Sequence, residues 1–210
     1  MSMTVRYKHI SPWLLSLFKK QPRLVEPFVV SLPESLEPGI PVTVADRMKT
    51  MAGIPDHMKK KMEEMMGAVT GIAEDMREDI KRISPENAPK ILAEAKSEGF
   101  NLGKMFEIVQ FHISGEISNH GTSLLSRAVT GDEDIGNDLG YGLATFLSKE
   151  DVEKIAKSFS GISEKDFLTN YSTNKWNQDT TKHALVYFKG LASYYADAEK
   201  TGHAMLVWGA

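Results

Sequence analysis

Residues 184–208 read ALVYFKGLASYYADAEKTGHAMLVW. Ala184, Phe188, Leu191, Tyr195 and Ala198 recur at steps of 4, 3, 4 and 3, which places them on one face of a helix. That helix starts at Asp179 or Thr180 and stops at Gly202, a residue free to turn the chain out of the helix. The apolar run His203 to Trp208 then reads as a strand. A long amphipathic helix running into a closing strand sets the fold class to be sought upstream.

Residues 3–9 alternate in character and predict a strand at the other end. Ser11-Pro12 supplies an N-cap followed by proline at the first helical position. The helix through about Lys20 should bury Leu14, Leu15 and Phe18, and residues 22–30 predict a second short helix. Pro33, Pro38, Gly39 and Pro41 mark an irregular connection. Further helices are expected over roughly 103–114, with Phe106, Val109 and Ile113 on one face, and over 124–129. Gly131 to Gly140 reads as an acidic, glycine-rich loop, and Tyr141 to Leu147 as a strand. Ser148 with Asp151, and Ser163 with Asp166, resemble capping boxes in which aspartate replaces glutamate. The expected class is α+β: a small, mostly antiparallel sheet of N-terminal, central and C-terminal strands packed with several helices. The strands must share that sheet, because an isolated strand leaves its backbone groups unpaired.

Residues 44–99 differ in character. Gly53-Ile54-Pro55-Asp56 is a break, after which apolar residues fall at 58, 62, 65, 69, 72, 76, 80 and 83, close to a heptad seam. Gly67 and Gly71 weaken this helix by roughly 1 kcal/mol each relative to alanine. Ser84-Pro85 begins another helix, with Ile91, Leu92 and Ala95 inward and Gly99 as its stop. The organisation is one domain over 1–210, with 44–99 a helical elaboration within it.

Of the eleven methionines, seven lie between positions 48 and 76. A Met stripe at helical spacing fits core packing, a helix contact with another chain, or copper(I) bound through thioethers. Met62, Met65 and Met66 could converge, but Met65 and Met66 point about 100° apart. Lys59 to Lys61 followed by Glu63 and Glu64 describes a solvated helical face rather than a membrane-binding one. The 25 basic and 28 acidic residues give a net charge of −3, which argues against a general nucleic-acid binder. Cysteine is absent, which excludes disulfides, thiolate metal sites and cysteine nucleophiles. The run Trp13 to Phe18 is shorter than a signal-peptide core, so cytoplasmic residence is the expectation.

Leu125-Ser-Arg-Ala-Val129, Gly131, the acidic loop, Gly140-Tyr-Gly142 and Leu147-Ser-Lys-Glu-Asp-Val152 occur in that order. Together with Trp176, the last helix and the closing strand, they resemble the YfbM-like family of small bacterial proteins. Lys104 to Gly115 looks like that family's helix ending in Thr/Ser-Gly, and the first strand and helix also fit. The resemblance covers about 1–30 and 100–210. It implies a bacterial, cytoplasmic α+β protein, and a fold rather than a reaction. Members often carry a tryptophan and a histidine where this chain has Phe106 and Gln110.

No catalytic residue, metal site or cofactor is expected. An EF-hand reading of the loop from Asp132 fails, because position six is Asn137 and position twelve is Leu143. The six histidines form no pair at metal-ligand spacing, and a Ser/His pairing of Ser114 or Ser118 with His112 or His120 lacks a nucleophile elbow. Gly136 to Gly142 has no lysine for a phosphate. The expectation is a non-enzymatic protein-binding domain, in its sharpest form an immunity-type protein that neutralises a bacterial toxin or effector. Its candidate contact residues are Met58, Met62, Met65, Met66, Asp132, Glu133, Asp134, Asp138 and Trp176, the acidic ones steering a basic partner. One alternative is a small-ligand pocket or enzyme site near Arg127, Asp134, Asp138 and Tyr141, with Arg127 also able to clamp a loop carboxylate. Another is a homodimer through the 58–83 seam. Neither nucleic acid nor membrane is expected as a partner.

Overall fold

The computed structural model describes residues 4–30, 71–72, 74–117, 122–139, 142–169 and 176–209. In chain order these are β1 (Val5–Ile10), α1 (Pro12–Lys20), a 3-10 turn (Pro22–Leu24), α2 (Val25–Val30), α3 (Ala88–Ala95) and β2 (Phe100–Gly103). There follow α4 (Phe106–Ser114), α5 (Leu124–Thr130), β3 (Glu133–Asp138), β4 (Leu143–Leu147), α6 (Lys149–Ser160), α7 (Glu164–Thr169), α8 (Gln178–Thr201) and β5 (Ala204–Gly209). Residues 74–83 are helical as well.

The strands form one sheet in the order β2-β1-β5-β4-β3, every neighbouring pair antiparallel. This is the expected α+β class. Side chains alternate between the two faces, and each face has its own apolar cluster. Val5, Tyr7, Leu147, Met205 and Val207 belong to a cluster with residues of α4, α5, α6, α7 and α8. Ile10, Ala144, Phe146, Leu206 and Trp208 belong to a second, with α1, α2, α3 and Ile80. Tyr7 and Tyr195 donate their hydroxyls to the carbonyls of Val129 and Ala128, tying β1 and α8 to the end of α5. Lys8, on the second face, is fully buried and donates to the Ser97 carbonyl. Burial lowers it to about 8 against the opposing pull of Glu94 and Glu98.

The helix starts follow their capping residues. Ser11, Ser123, Ser148 and Asn177 accept backbone N–H groups at the starts of α1, α5, α6 and α8. Ser163 and Asp166 exchange hydrogen bonds as expected at the start of α7. Leu14, Leu15 and Phe18 are buried, as is the whole α8 seam, and Gly202 ends that helix at φ +66°. Helix boundaries shift elsewhere: the helix expected over 103–114 begins at Phe106, and the one expected from Pro85 begins at Ala88 after a turn.

Two expectations need larger correction. The stretch read as an acidic loop contains β3, because β4 supplies the backbone partners and Ile135 is buried. A short strand, β2, occupies Phe100–Gly103, where none was expected. All four of its residues are buried, so it has no alternation to read. Of the heptad seam, only residues 72–83 can be described. Ile80 is fully buried there, Met76 is half-buried, and Ile72 and Ile83 are exposed. The whole of the 44–70 segment, including Met58, Met62, Met65 and Met66, lies outside the described residues.

Candidate functional site

The acidic stretch begins where α5 ends. Glu116 accepts hydrogen bonds from Thr122 and Ser123, holding the entry to α5. Gly131 follows that helix at φ +77°, and a Cβ there would lie 1.8 Å from Thr145 Oγ1. Thr145 in turn donates to the Thr130 carbonyl at 2.8 Å. A side chain at 131 would therefore break the junction of α5, β3 and β4. Beyond it, Asp132 N–H donates to the Phe146 carbonyl, and the register sets Glu133 opposite Phe146 and Asp134 opposite Thr145. Directly opposite residues share a face, so Glu133 and Asp134 point to opposite sides of this edge strand.

Asp132, Glu133 and Asp134 are exposed. Asp132 pairs with Arg127 of α5, the internal clamp weighed above. Arg127 Nε is buried and makes no hydrogen bond among the described residues. Glu133 faces Lys19 of α1 at 3.6 Å, and that ammonium also lies 4.0 Å from the centre of the Phe146 ring. Asp134 makes no ion pair among the described residues. Asp138 lies in β3, but its side chain is outside the described residues, as is the whole of Tyr141. Of the ligand-pocket set, Arg127 turns to Asp132, which is not among its members, across the α5–β3 junction.

Trp176 is half-buried and packs on Phe111 and His112, with ring centres 5.3 and 6.1 Å apart. It lines the flank of the first cluster, on different elements from the acidic stretch. His112 is buried, with Nδ1 2.9 Å from the Phe167 carbonyl, while Ser114 donates back to the Gln110 carbonyl within α4. Ser118 and His120 lie outside the described residues. Gln110 itself is buried and donates to Ser126 Oγ at 2.6 Å, joining α4 to α5. A shallow cleft of about 310 Å³ is lined by Met105, Asp179, Thr180 and His183, none of which is among the candidate site residues read from the sequence. Among the described residues no helix is long and apolar enough to cross a membrane. No group of three or more His, Asp or Glu residues is arranged there to hold a metal ion.

No curated protein matches the chain. Among solved structures, "The Crystal Structure of a Protein of Unknown Function YfbM from Escherichia coli" aligns with 62% of this chain and 91% of that one. The identity is 13% and the TM-score 0.41. A sequence model of the family "Domain of unknown function (DUF1877)" matches residues 1–208, running through 44–99 as well as the flanking parts. With the match spanning nearly its whole length, the chain belongs to this YfbM-like DUF1877 family.

Proposed function

We propose that this chain is a non-enzymatic protein-binding domain that presents β3 to a basic partner. The observation that supports it is an edge strand whose first residues, with Asp132 just before them, carry exposed carboxylates. Arg127 and Lys19 partly offset two of these charges. Asp134 is left as the carboxylate best able to pair with an incoming lysine or arginine. Such a pair would act chiefly on orientation and association rate. In the sharper form of this reading the partner is a bacterial toxin domain, the chain is its cytoplasmic immunity protein, and Met58, Met62, Met65 and Met66 add apolar contacts.

The test is capture of partners from the native lysate and from products of adjacent genes, followed by titration of the captured protein. Asp134→Lys combined with Glu133→Lys should weaken binding at least tenfold, and added salt should erase the difference. Unchanged affinity removes the β3 surface. Absence of any partner removes the protein-binding reading. Protection of cells that express the captured protein separates the immunity form from other partners.

A further inference from the structure

His9 and His203 are 194 positions apart, yet the β1–β5 pairing brings them together. His9 faces Met205 across the two strands, and His203 is two residues before Met205, on the same side. Their ring centres are 6.2 Å apart, with the planes inclined by 32°. Both side chains are partly exposed.

Hydrogen bonding fixes the state of each ring. His9 Nε2 lies 2.8 Å from the Tyr194 carbonyl, which can only accept, so Nε2 carries the hydrogen. His203 Nδ1 lies 2.6 Å from Thr201 Oγ1. Thr201 Oγ1 also lies 2.9 and 3.1 Å from the helix carbonyls of Asp197 and Ala198, which can only accept, so we assign its single hydroxyl proton to them. Thr201 Oγ1 therefore accepts from His203, and Nδ1 carries that hydrogen. The lone pairs left over are on His9 Nδ1 and His203 Nε2. Neither of these atoms has a hydrogen-bond partner among the described residues. An imidazole whose other nitrogen donates to a fixed oxygen is the arrangement in which histidine usually binds metal.

We propose that His9 and His203 form a two-histidine site for a divalent late first-row metal ion, Zn²⁺ or Cu²⁺, bound through His9 Nδ1 and His203 Nε2. Imidazole nitrogen suits these ions. With metal–nitrogen bonds of about 2.0–2.1 Å, two imidazoles on one ion place their ring centres about 5.2 Å apart at the tetrahedral angle and up to roughly 6.4 Å apart when opposed. The 6.2 Å between these rings lies near the opposed limit, which suits the tetragonal geometry of Cu²⁺ directly, whereas tetrahedral Zn²⁺ draws the rings about 1 Å closer. Burial disfavours positive charge at His9, as do His203 and Lys8, while the Tyr194 carbonyl and Asp197 favour it. No third ligand stands ready among the described residues, so water fills the remaining positions. Affinity is accordingly expected to fall below that of a four-ligand structural site.

Two measurements on the full-length, metal-free protein test this. Long-range ¹⁵N spectra of the imidazoles should show hydrogen on Nε2 of His9 and on Nδ1 of His203, and Zn²⁺ should shift both lone-pair nitrogens. Calorimetric titration with Zn²⁺ should show one site that His9→Gln and His203→Gln each abolish and that His183→Gln retains. Thr201→Val, which removes the oxygen orienting His203, should weaken that site at least tenfold. Reversed tautomers, or a folded His203→Gln protein that binds Zn²⁺ with wild-type affinity, would overturn the assignment. His203 lies just before β5, so its substitution spares the packed Tyr194 face that His9 occupies.

Discussion

His9 shows how a single side chain records its surroundings. Burial pushes it down to about 4, outweighing the hydrogen bond to the Tyr194 carbonyl that favours the charged ring. The unfolded chain, with an ordinary histidine near 6.5, then binds more protons than the folded one between about 4 and 6.5. Stability from this group is complete above about pH 6.5 and is lost as pH falls to about 4, a change of about 3 kcal/mol. Urea unfolding at pH 7 and pH 4.5 should show this loss, and His9→Gln should reduce it. None of this was legible in the sequence, because the Tyr194 carbonyl reaches His9 only through packing of α8 on the sheet and His203 only through strand pairing. Residues that act on their own neighbourhood were legible. Ser11, Ser148 and Ser163 each bond within three positions, so their spacing alone revealed them. Among the candidate contacts, Asp132, Glu133 and Asp134 are exposed as a solvated acidic run should be, whereas Lys19 as a partner of Glu133 required the tertiary fold.

Elements separate into those with a strong internal period and those defined by a neighbour. The seam of α8 was readable because one face of 24 residues repeats the same demand. β3 was hidden because glycine and aspartate are poor strand formers, and only pairing with β4 overrides that preference. β2 was hidden by its length and by burial on both sides. The α5–β3 junction shows the opposite case, in which one residue type is demanded by the backbone. At φ +77° and ψ −175°, position 131 is in a region open essentially to glycine, and Thr145 leaves no room for a methyl group. Gly131→Ala should therefore destabilise the protein by about 2–3 kcal/mol or more in chemical denaturation. It should also disturb the amide resonances of Asp132 to Asp134 before those of α8.

At the scale of the molecule, one sheet separates two apolar clusters that share its strands but not its side chains. Phe18 packs edge-on against Phe28 in one, and Phe188 stacks with Phe167 in the other. Each ring is nearly inaccessible to solvent, so Phe18→Ala and Phe188→Ala should each cost about 3–5 kcal/mol. Because β1, β4 and β5 contribute to both clusters, either substitution should move the whole unfolding transition. Circular dichroism and tryptophan fluorescence should report the same midpoint, while split transitions would mean that the two sides unfold separately. The strand order has one further effect, on the timing of synthesis. β5 lies between β1 and β4, yet it follows the other four strands in the sequence and emerges from the ribosome after them. A nascent chain can pair β1 with β2 and β3 with β4, but these remain two ribbons, each with a vacant edge. The sheet closes only when residues 204–209 slide between them, so the central pairings are the last of the sheet to form in the order of synthesis.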